Sequence, residues 1–272
     1  WFEGRGPICV FMGYIDDATN TVYGRFYDYE GTMPAMDSMK RYIKQYGVPK
    51  SVYLDKHTTY KSWAEPTIEE ELNGQKPMSH FEKSLAALEI EVIHANSPQA
   101  KGRVERLFKT LQDRLVREMR LRGIKSVDEA NEFLTTYLPK FNKRFQKEAA
   151  SPADLHRPAP HARELDRILC VKEERTVKND FTIAHNGTLY QIEQATHAKK
   201  VTVEERLDGT LHITYKGQEL RYREITKKPA KETPGQRLLL RERKPWTPPL
   251  DHPWKRTFLS KRRNREQHVA AP

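Results

Sequence analysis

The segment from Ser97 to Leu111 places one acidic side chain among several basic ones at the start of an amphipathic helix. Its apolar stripe, with steps of three and four residues, consists of Val104, Leu107, Phe108, Leu111 and, just beyond, Leu115. That spacing predicts one buried helical face. Glu105 lies just off the stripe, with Lys101 and Lys109 one helical turn away on either side. The arrangement suits a metal ion held beside a polyanion. The alternative is an ordinary surface helix with Lys and Glu paired four residues apart.

A second acid, Asp55, follows a short run of β-branched and aromatic residues. The segment from Lys50 to Tyr60 begins after Gly47-Val48-Pro49 as a predicted strand and turns polar at Asp55. Open α/β sheets carry their functional residues at the carboxyl ends of their strands. Asp55 is therefore the second candidate site residue.

Together the two segments resemble the DDE transposase and retroviral integrase superfamily, whose catalytic domain has the ribonuclease H fold. In that superfamily the second catalytic Asp ends the fourth strand in a pattern like Asp-Asn-Gly-x-x-Phe. The catalytic Glu opens a helix after Pro-x-x-x-Gly-x-Val/Ile-Glu-Arg. The stretch from Pro98 to Arg106 matches the second pattern closely, whereas Lys56-His57 replace Asn-Gly in the first. The paired match therefore carries the resemblance.

The resemblance implies phosphodiester chemistry at two Mg²⁺ or Mn²⁺ ions bound by Asp55 and Glu105. Such ions activate a water or a 3′-hydroxyl and stabilise the leaving oxygen, and Mg²⁺ prefers oxygen ligands. The implied reaction is hydrolysis at a transposon end, followed by attack of the freed 3′-hydroxyl on target DNA. Double-stranded DNA is the implied partner, with a homo-oligomer assembled on it. The side chains expected to contact phosphates near the scissile position are Lys101, Arg103, Arg106 and Lys109.

Two alternatives remain open at the level of sequence. One is a ribonuclease H-like nuclease, and the other is a non-catalytic DNA-binding or target-selection subunit with the same fold. Strand joining, as distinct from cleavage alone, separates them from a transposase.

The order of predicted elements bears on the third acid that normally completes such a site. The ribonuclease H fold has three antiparallel strands before its first helix. The sequence predicts two, Ile8 to Ile15 and Thr21 to Tyr27, before a helix from about Pro34 to Tyr46. The simplest alignment makes Trp1 and Phe2 the tail of the first strand.

On that alignment the first catalytic Asp lies upstream of Trp1, where helix-turn-helix domains are also expected. The fallback is Asp16 as the first metal ligand. Asp16 and Asp17 are equally what a tight hairpin turn requires.

Charge supports a nucleic-acid partner independently. The net charge is +11 and the sequence pI is about 9.5. From Lys227 to the C-terminus there are thirteen Lys and Arg against four Asp and Glu, and from Gln99 to Lys147 thirteen against six. The remainder is acidic by five charges, so the positive charge is local, as phosphate contacts require. In the tail the residues expected to bind DNA are Lys255, Arg256, Lys261, Arg262 and Arg263.

The predicted fold class is α/β, a ribonuclease H-like mixed sheet with flanking helices in residues 1–150. Further elements predicted there are a helix from Phe81 to Leu88, a strand from Ile90 to His94 and a helix from Ser126 to Phe145, with Ser126 as its N-cap. A Pro-rich linker follows at 151–169. Short alternating runs, the last of them from Leu220 to Tyr222, predict a small all-β barrel at 170–226. Hairpin turns are predicted between them at Asn186-Gly187, Asp208-Gly209 and Lys216-Gly217. Residues 227–272 form an extended basic tail, in which Trp246 and Trp254 are candidate docking anchors.

Other classes of protein are disfavoured. No run of apolar residues is long enough to span a bilayer, and a cytoplasmic location is expected. Cys9 and Cys170 lie far apart in the sequence and are predicted to be buried free thiols. The ten histidines show no spacing typical of metal ligands, such as His-x-x-x-His, so a zinc site is not expected.

Overall fold

The computed structural model describes residues 1–54, 59–60, 62, 64–66, 71–72, 74, 76–94, 98–194 and 198–225, with only the backbone at 98–101. All of these belong to one compact unit, Trp1–Lys228. Several predicted site residues lie outside this description: Asp55, the side chain of Lys101, and the tail residues Lys255, Arg256, Lys261, Arg262 and Arg263.

An antiparallel hairpin opens the fold. Strands β1 (Val10–Ile15) and β2 (Val22–Tyr27) pair in register from Val10 opposite Tyr27 to Ile15 opposite Val22. The strand predicted from Ile8 to Ile15 begins two residues later than predicted, at Val10, and Ile8 is 93% exposed and outside the pairing. Trp1 and Phe2 are not in a strand, contrary to the alignment above, and Phe2 is buried in the core instead.

A parallel strand pair forms the second element of the fold. Strand β3 (Ser51–Leu54) pairs with β4 (Glu91–His94), and the last register pair is Leu54 with His94. Helices α1 (Thr32–Tyr46) and α2 (His80–Ala87) pack with this pair around a core that contains Met36, Met39, Ile43, Phe81, Leu85 and Ile90. A capping box between Ser79 and Glu82 determines where α2 begins.

Two long helices cover the hairpin. Helix α3 (Pro98–Leu121) and helix α4 (Val127–Phe145) share a second core with β1 and β2, to which α3 contributes Leu107, Leu111, Leu115 and Met119. The predicted stripe is therefore confirmed from Leu107 onward. Val104 is 37% exposed, because the second turn of α3 projects beyond the aromatic cluster that begins with Phe108 against Trp1 and Phe11.

Helix α4 closes the outer edge of β2 with two asparagines. The Asn131 side chain accepts a hydrogen bond from the Phe26 N–H at 2.8 Å and donates to the Phe26 carbonyl at 3.0 Å. Asn142 does the same for Val22, at 2.9 and 2.8 Å. Each amide thus takes the place of a neighbouring strand, which satisfies backbone groups that an open edge would leave unpaired.

The predicted linker is packed against the first two helices and the chain between them. Val48 and Arg157 exchange backbone hydrogen bonds at 2.8 Å in each direction, and Arg157 forms an ion pair with Glu89. Helix α5 (Ala162–Ile168) buries Leu165 in the core around α1 and α2. The division of the chain into domains at these residues stays a prediction.

Seven strands form the last part of the described chain. They are β5 (Val171–Thr176), β6 (Thr182–His185), β7 (Thr188–Ile192), β8 (Lys200–Glu205), β9 (Leu211–Tyr215), β10 (Gln218–Leu220) and β11 (Tyr222–Ile225).

These strands form two sheets, in the orders β10-β9-β8-β5 and β11-β7-β6, around one apolar core. The three predicted turns, at Asn186-Gly187, Asp208-Gly209 and Lys216-Gly217, lie in the hairpins. The run Leu220 to Tyr222, predicted as one strand, instead divides at Arg221 between the sheets. A closed barrel stays a prediction.

No helix in the described part of the chain combines the length and the apolar character that crossing a bilayer demands.

Candidate nucleic-acid and metal site

The carboxyl ends of β3 and β4 lie side by side. Leu54 and His94 are the last residues of the two strands and are register partners. Asp55 is the next residue in the sequence after Leu54, and α3 begins at Pro98, four residues after His94. Asp55 itself lies outside the described residues, so its meeting with Glu105 stays a prediction.

Glu105 lies in the second turn of α3 with its side chain exposed. It lines a shallow surface depression together with Gly102, Arg106 and Lys109. Within the described part of the chain, the Glu105 carboxylate has no hydrogen-bond or ion-pair partner. A carboxylate with no partner among the described residues, and with two cations beside it, is available to a metal ion and lies where a phosphate would be attracted.

Arg103, which was predicted to contact phosphate, is engaged elsewhere in this structure. Its guanidinium forms an ion pair with the Asp17 carboxylate and donates a hydrogen bond to the Asp17 carbonyl at 2.7 Å. The contact joins the start of α3 to the turn between β1 and β2. Arg103 is two residues from Glu105, about 200° around the helix, so the two side chains point to different sides.

The side chain of Asp16, the alternative first metal ligand, stabilises the same turn between β1 and β2. Its carboxylate accepts hydrogen bonds from the backbone N–H of Thr19, at 2.8 Å, and from the Thr19 hydroxyl. The prediction that Asp16 and Asp17 lie in a hairpin turn is confirmed. Across the described ranges, no cluster of three or more His, Cys, Asp or Glu side chains could hold a metal ion.

A partly buried Glu–His pair lies at the end of β4. His94 Nε2 is 2.9 Å from Glu82 Oε1, and Oε2 of the same carboxylate accepts the Ser79 N–H at 2.7 Å. The capping role of Glu82 depends only on its spacing from Ser79. Its pairing with His94, twelve residues later, was not predicted, because it depends on how α2 packs on β4. His57, the other histidine near Asp55 in sequence, lies outside the description.

Comparison with known proteins identifies two curated relatives. A Sinorhizobium fredii protein, provisionally named transposase y4bF, is 35% identical over 234 residues, which cover 84% of this chain and 50% of that protein. The transposase for insertion sequence IS1202 of Streptococcus pneumoniae is 30% identical over 257 residues, covering 89% and 53%. The chain thus spans about half the length of these relatives.

Family models and solved structures provide no further support for the relationship. No family model matches the chain. Among solved structures, a simian T-cell lymphotropic virus intasome in complex with PP2A regulatory subunit B56 gamma aligns with 83% of this chain and 81% of its own, at 15% identity and a TM-score of 0.37. A likeness at that score carries no argument about fold or function. The relationship rests on the two curated proteins, and over more than four fifths of its length the chain is a homologue of proteins named as transposases, one of them the transposase of an insertion sequence.

Proposed function

We propose that the chain is the catalytic part of a DDE transposase, which cleaves DNA at transposon ends and joins the freed 3′ end to target DNA. The observation that supports this best is the setting of Glu105. The side chain is exposed, lies beside Arg106 and Lys109, and belongs to the helix that follows the parallel pair β3–β4. The names of the two homologues support the same class of reaction.

A ribonuclease H-like arrangement is part of the proposal. The antiparallel pair β1–β2 and the parallel pair β3–β4 are the two kinds of pairing that a mixed sheet of this kind combines. Helices cover both pairs, as expected for an α/β fold. Asp55 and Glu105 are the proposed metal ligands on this frame.

The donor chemistry at these positions fits Mg²⁺ or Mn²⁺. Carboxylate oxygens are hard ligands of the kind that Mg²⁺ prefers, and a few suffice because the ion keeps several waters. When bound, two such ions activate the attacking oxygen and stabilise the leaving oxygen of an in-line displacement.

The cations beside Glu105 have a binding role in this proposal. Arg106 and Lys109 attract the phosphate backbone and hold it near the carboxylate, while Lys101 is proposed to act from the preceding turn. Arg103 is proposed to reach phosphate only after it exchanges Asp17 for the DNA. Duplex DNA is the proposed partner, a homo-oligomer on DNA the proposed assembly, and the bacterial cytosol the proposed location.

The test compares Glu105→Gln and Asp55→Asn with a matched control, Glu132→Gln, which removes an exposed carboxylate from α4. Cleavage and strand joining are measured in Mn²⁺ on DNA that carries the element's own ends, with the full-length protein. We expect both site variants to lose cleavage and joining while DNA affinity stays within about twofold, and the control to be active. Chelation of the metal should abolish both steps.

Three results would contradict the proposal. Site-variant activity within about tenfold of the parent, equivalent to roughly 1.4 kcal/mol of barrier, would remove Asp55 and Glu105 from the chemistry. Cleavage without joining by the parent protein would favour a nuclease. DNA binding without either step would favour a non-catalytic subunit.

A further inference from the structure

A groove runs between the second half of α3 and α4, away from Glu105. We call it the α3–α4 groove. It is lined by polar and basic residues, Asp113, Arg114, Arg117, Glu118, Arg122, Thr136, Lys140 and Arg144, and by four aromatic residues of α4, Phe133, Tyr137, Phe141 and Phe145. Arg114 is nine residues from Glu105, about two and a half helical turns, so these two side chains project in opposite directions from α3.

The charges in the groove do not balance. Both of its carboxylates are already paired along α3, Asp113 with Arg117 at 2.7 Å and Glu118 with Arg122. Three further cations, Arg114, Lys140 and Arg144, are exposed and have no carboxylate partner among the described residues. The groove therefore carries a local positive surplus of three charges.

The aromatic residues hold the guanidinium groups in place. Phe133, Tyr137, Phe141 and Phe145 stack along α4 at four-residue steps, with ring centroids 5.4, 6.0 and 4.6 Å apart. Arg114 lies over the Phe145 ring at 5.3 Å, and Arg144 lies over the same ring at 5.5 Å. Cation–π contact keeps both arginines near one ring although their charges repel each other.

The meeting of the Arg114 and Arg144 guanidinium groups over one ring favours the binding of an anion. Two guanidinium groups over one ring repel each other, and neither forms an ion pair with a carboxylate among the described residues, so an anion bound between or beside them would reduce the repulsion. Arginine forks match phosphate oxygens in a bidentate manner. A chain of phosphates supplies repeated negative charges along a groove that two antiparallel helices line.

We propose that the α3–α4 groove is a second DNA-binding site, which holds the phosphate backbone of a duplex segment other than the one at Glu105. Arg114, Lys140 and Arg144 contact its phosphates. The inference rests on the proposed function, because both require DNA as the partner. It adds a separate surface, so that one protomer contacts two DNA segments, one at Glu105 and one at Arg114.

The experiment replaces these three cations together, as Arg114→Gln, Lys140→Gln and Arg144→Gln. The matched control replaces three exposed lysines outside the groove, Lys83, Lys178 and Lys199, by Gln and so changes the net charge equally. Affinity for a mixed-sequence duplex is measured from about 50 to about 200 mM salt, where each lost phosphate contact lowers the log–log slope by about 0.9. We expect the groove variant to lower the slope by roughly 2 to 3, and the control by less than about 0.9.

A single variant keeps the test valid if the triple variant does not fold. Lys140→Gln changes one exposed side chain, and we expect it to lower the slope by about 0.9. An unchanged slope in either folded groove variant overturns the proposal. A groove variant that loses self-association and keeps its slope also overturns it, and identifies a protein partner instead.

These outcomes separate the groove from the proposed function. Glu105→Gln tests catalysis and is expected to keep the parental slope. Loss of cleavage in Glu105→Gln, with an unchanged slope in the groove variants, would refute the groove alone. Cleavage by Glu105→Gln, with a reduced slope in the groove variants, would refute the metal site alone.

Discussion

Replacing Asn131 by Ala tests whether a side chain can close the edge of a sheet. In the structure the Asn131 amide both accepts from the Phe26 N–H and donates to the Phe26 carbonyl, and both contacts are buried. Truncation removes the two hydrogen bonds and leaves the backbone groups of Phe26 without partners. Phe26 is 1% exposed, so water cannot readily replace the lost amide.

The expected magnitude follows from the two contacts. A net contribution of about 0.5–1.5 kcal/mol per hydrogen bond, with about 1–3 kcal/mol for a buried group left unsatisfied, gives a loss of roughly 2–4 kcal/mol. Asn142→Ala should cost less, because its contacts to Val22 are only partly buried and water can reach the freed groups.

Urea unfolding followed by circular dichroism measures these differences, with Asn179→Ala, an exposed asparagine before β6, as the control. We expect the midpoint to fall in the order control, Asn142→Ala, Asn131→Ala, with an unchanged dependence on urea. An Asn131→Ala loss below about 0.5 kcal/mol, within the ordinary range for surface substitutions, would refute the edge-closing role.

Two further predictions concern packing and pH. A Cβ on Gly24 would lie 2.1 Å from Cζ of the buried Phe11 ring, so Gly24→Ala should cost about 1–3 kcal/mol in urea unfolding. Adding Phe11→Leu should recover part of that cost, and strictly additive losses would contradict the clash. The backbone N–H of Lys125, hydrogen-bonded to Glu129, lowers the pKa of Glu129 below its ordinary 4.5. Its contribution to stability is therefore present above about pH 4.5 and is lost as the pH falls through the lowered folded-state pKa. Glu129→Gln should flatten this acid limb, and parallel stability curves for the two proteins would contradict the assignment.

Local structure was predictable wherever neighbours in the chain decide it. The cap at Ser126, the hairpin turn at Asp16 and the turn at Asn186-Gly187 all follow from short-range hydrogen bonding or from positive φ angles, and the structure contains each of them. The spacing of Leu107, Leu111 and Leu115 predicted the buried face of α3 for the same reason. Strand β5 was not predicted, because four consecutive charged residues, Lys172 to Arg175, follow Val171 and leave the segment without an apolar alternation.

The features of the candidate site that neighbouring residues determine were also predictable, and those that depend on tertiary contacts were not. The motif around Glu105 predicted an acid beside bases at the edge of the apolar face of a helix, and the relationship to transposases that it suggested is confirmed. The pairing of Arg103 with Asp17 and of Glu82 with His94 was not predicted. The exposure of Val104 was predicted wrongly, because a helical period shows which residues share a face but not how far along the helix a neighbouring core extends.

The sequence by itself determined the periods, caps and turns of this protein, and the chemistry of its acidic and basic residues, because these depend on atoms a few residues apart. Only the tertiary structure decided that Asn131 and Asn142 close β2 and that Arg114 and Arg144 meet over Phe145. Those contacts join residues from different elements, or depend on how the elements pack. Their distances are set by the packing of helices on strands, to which every core residue contributes and which no short pattern in the sequence encodes.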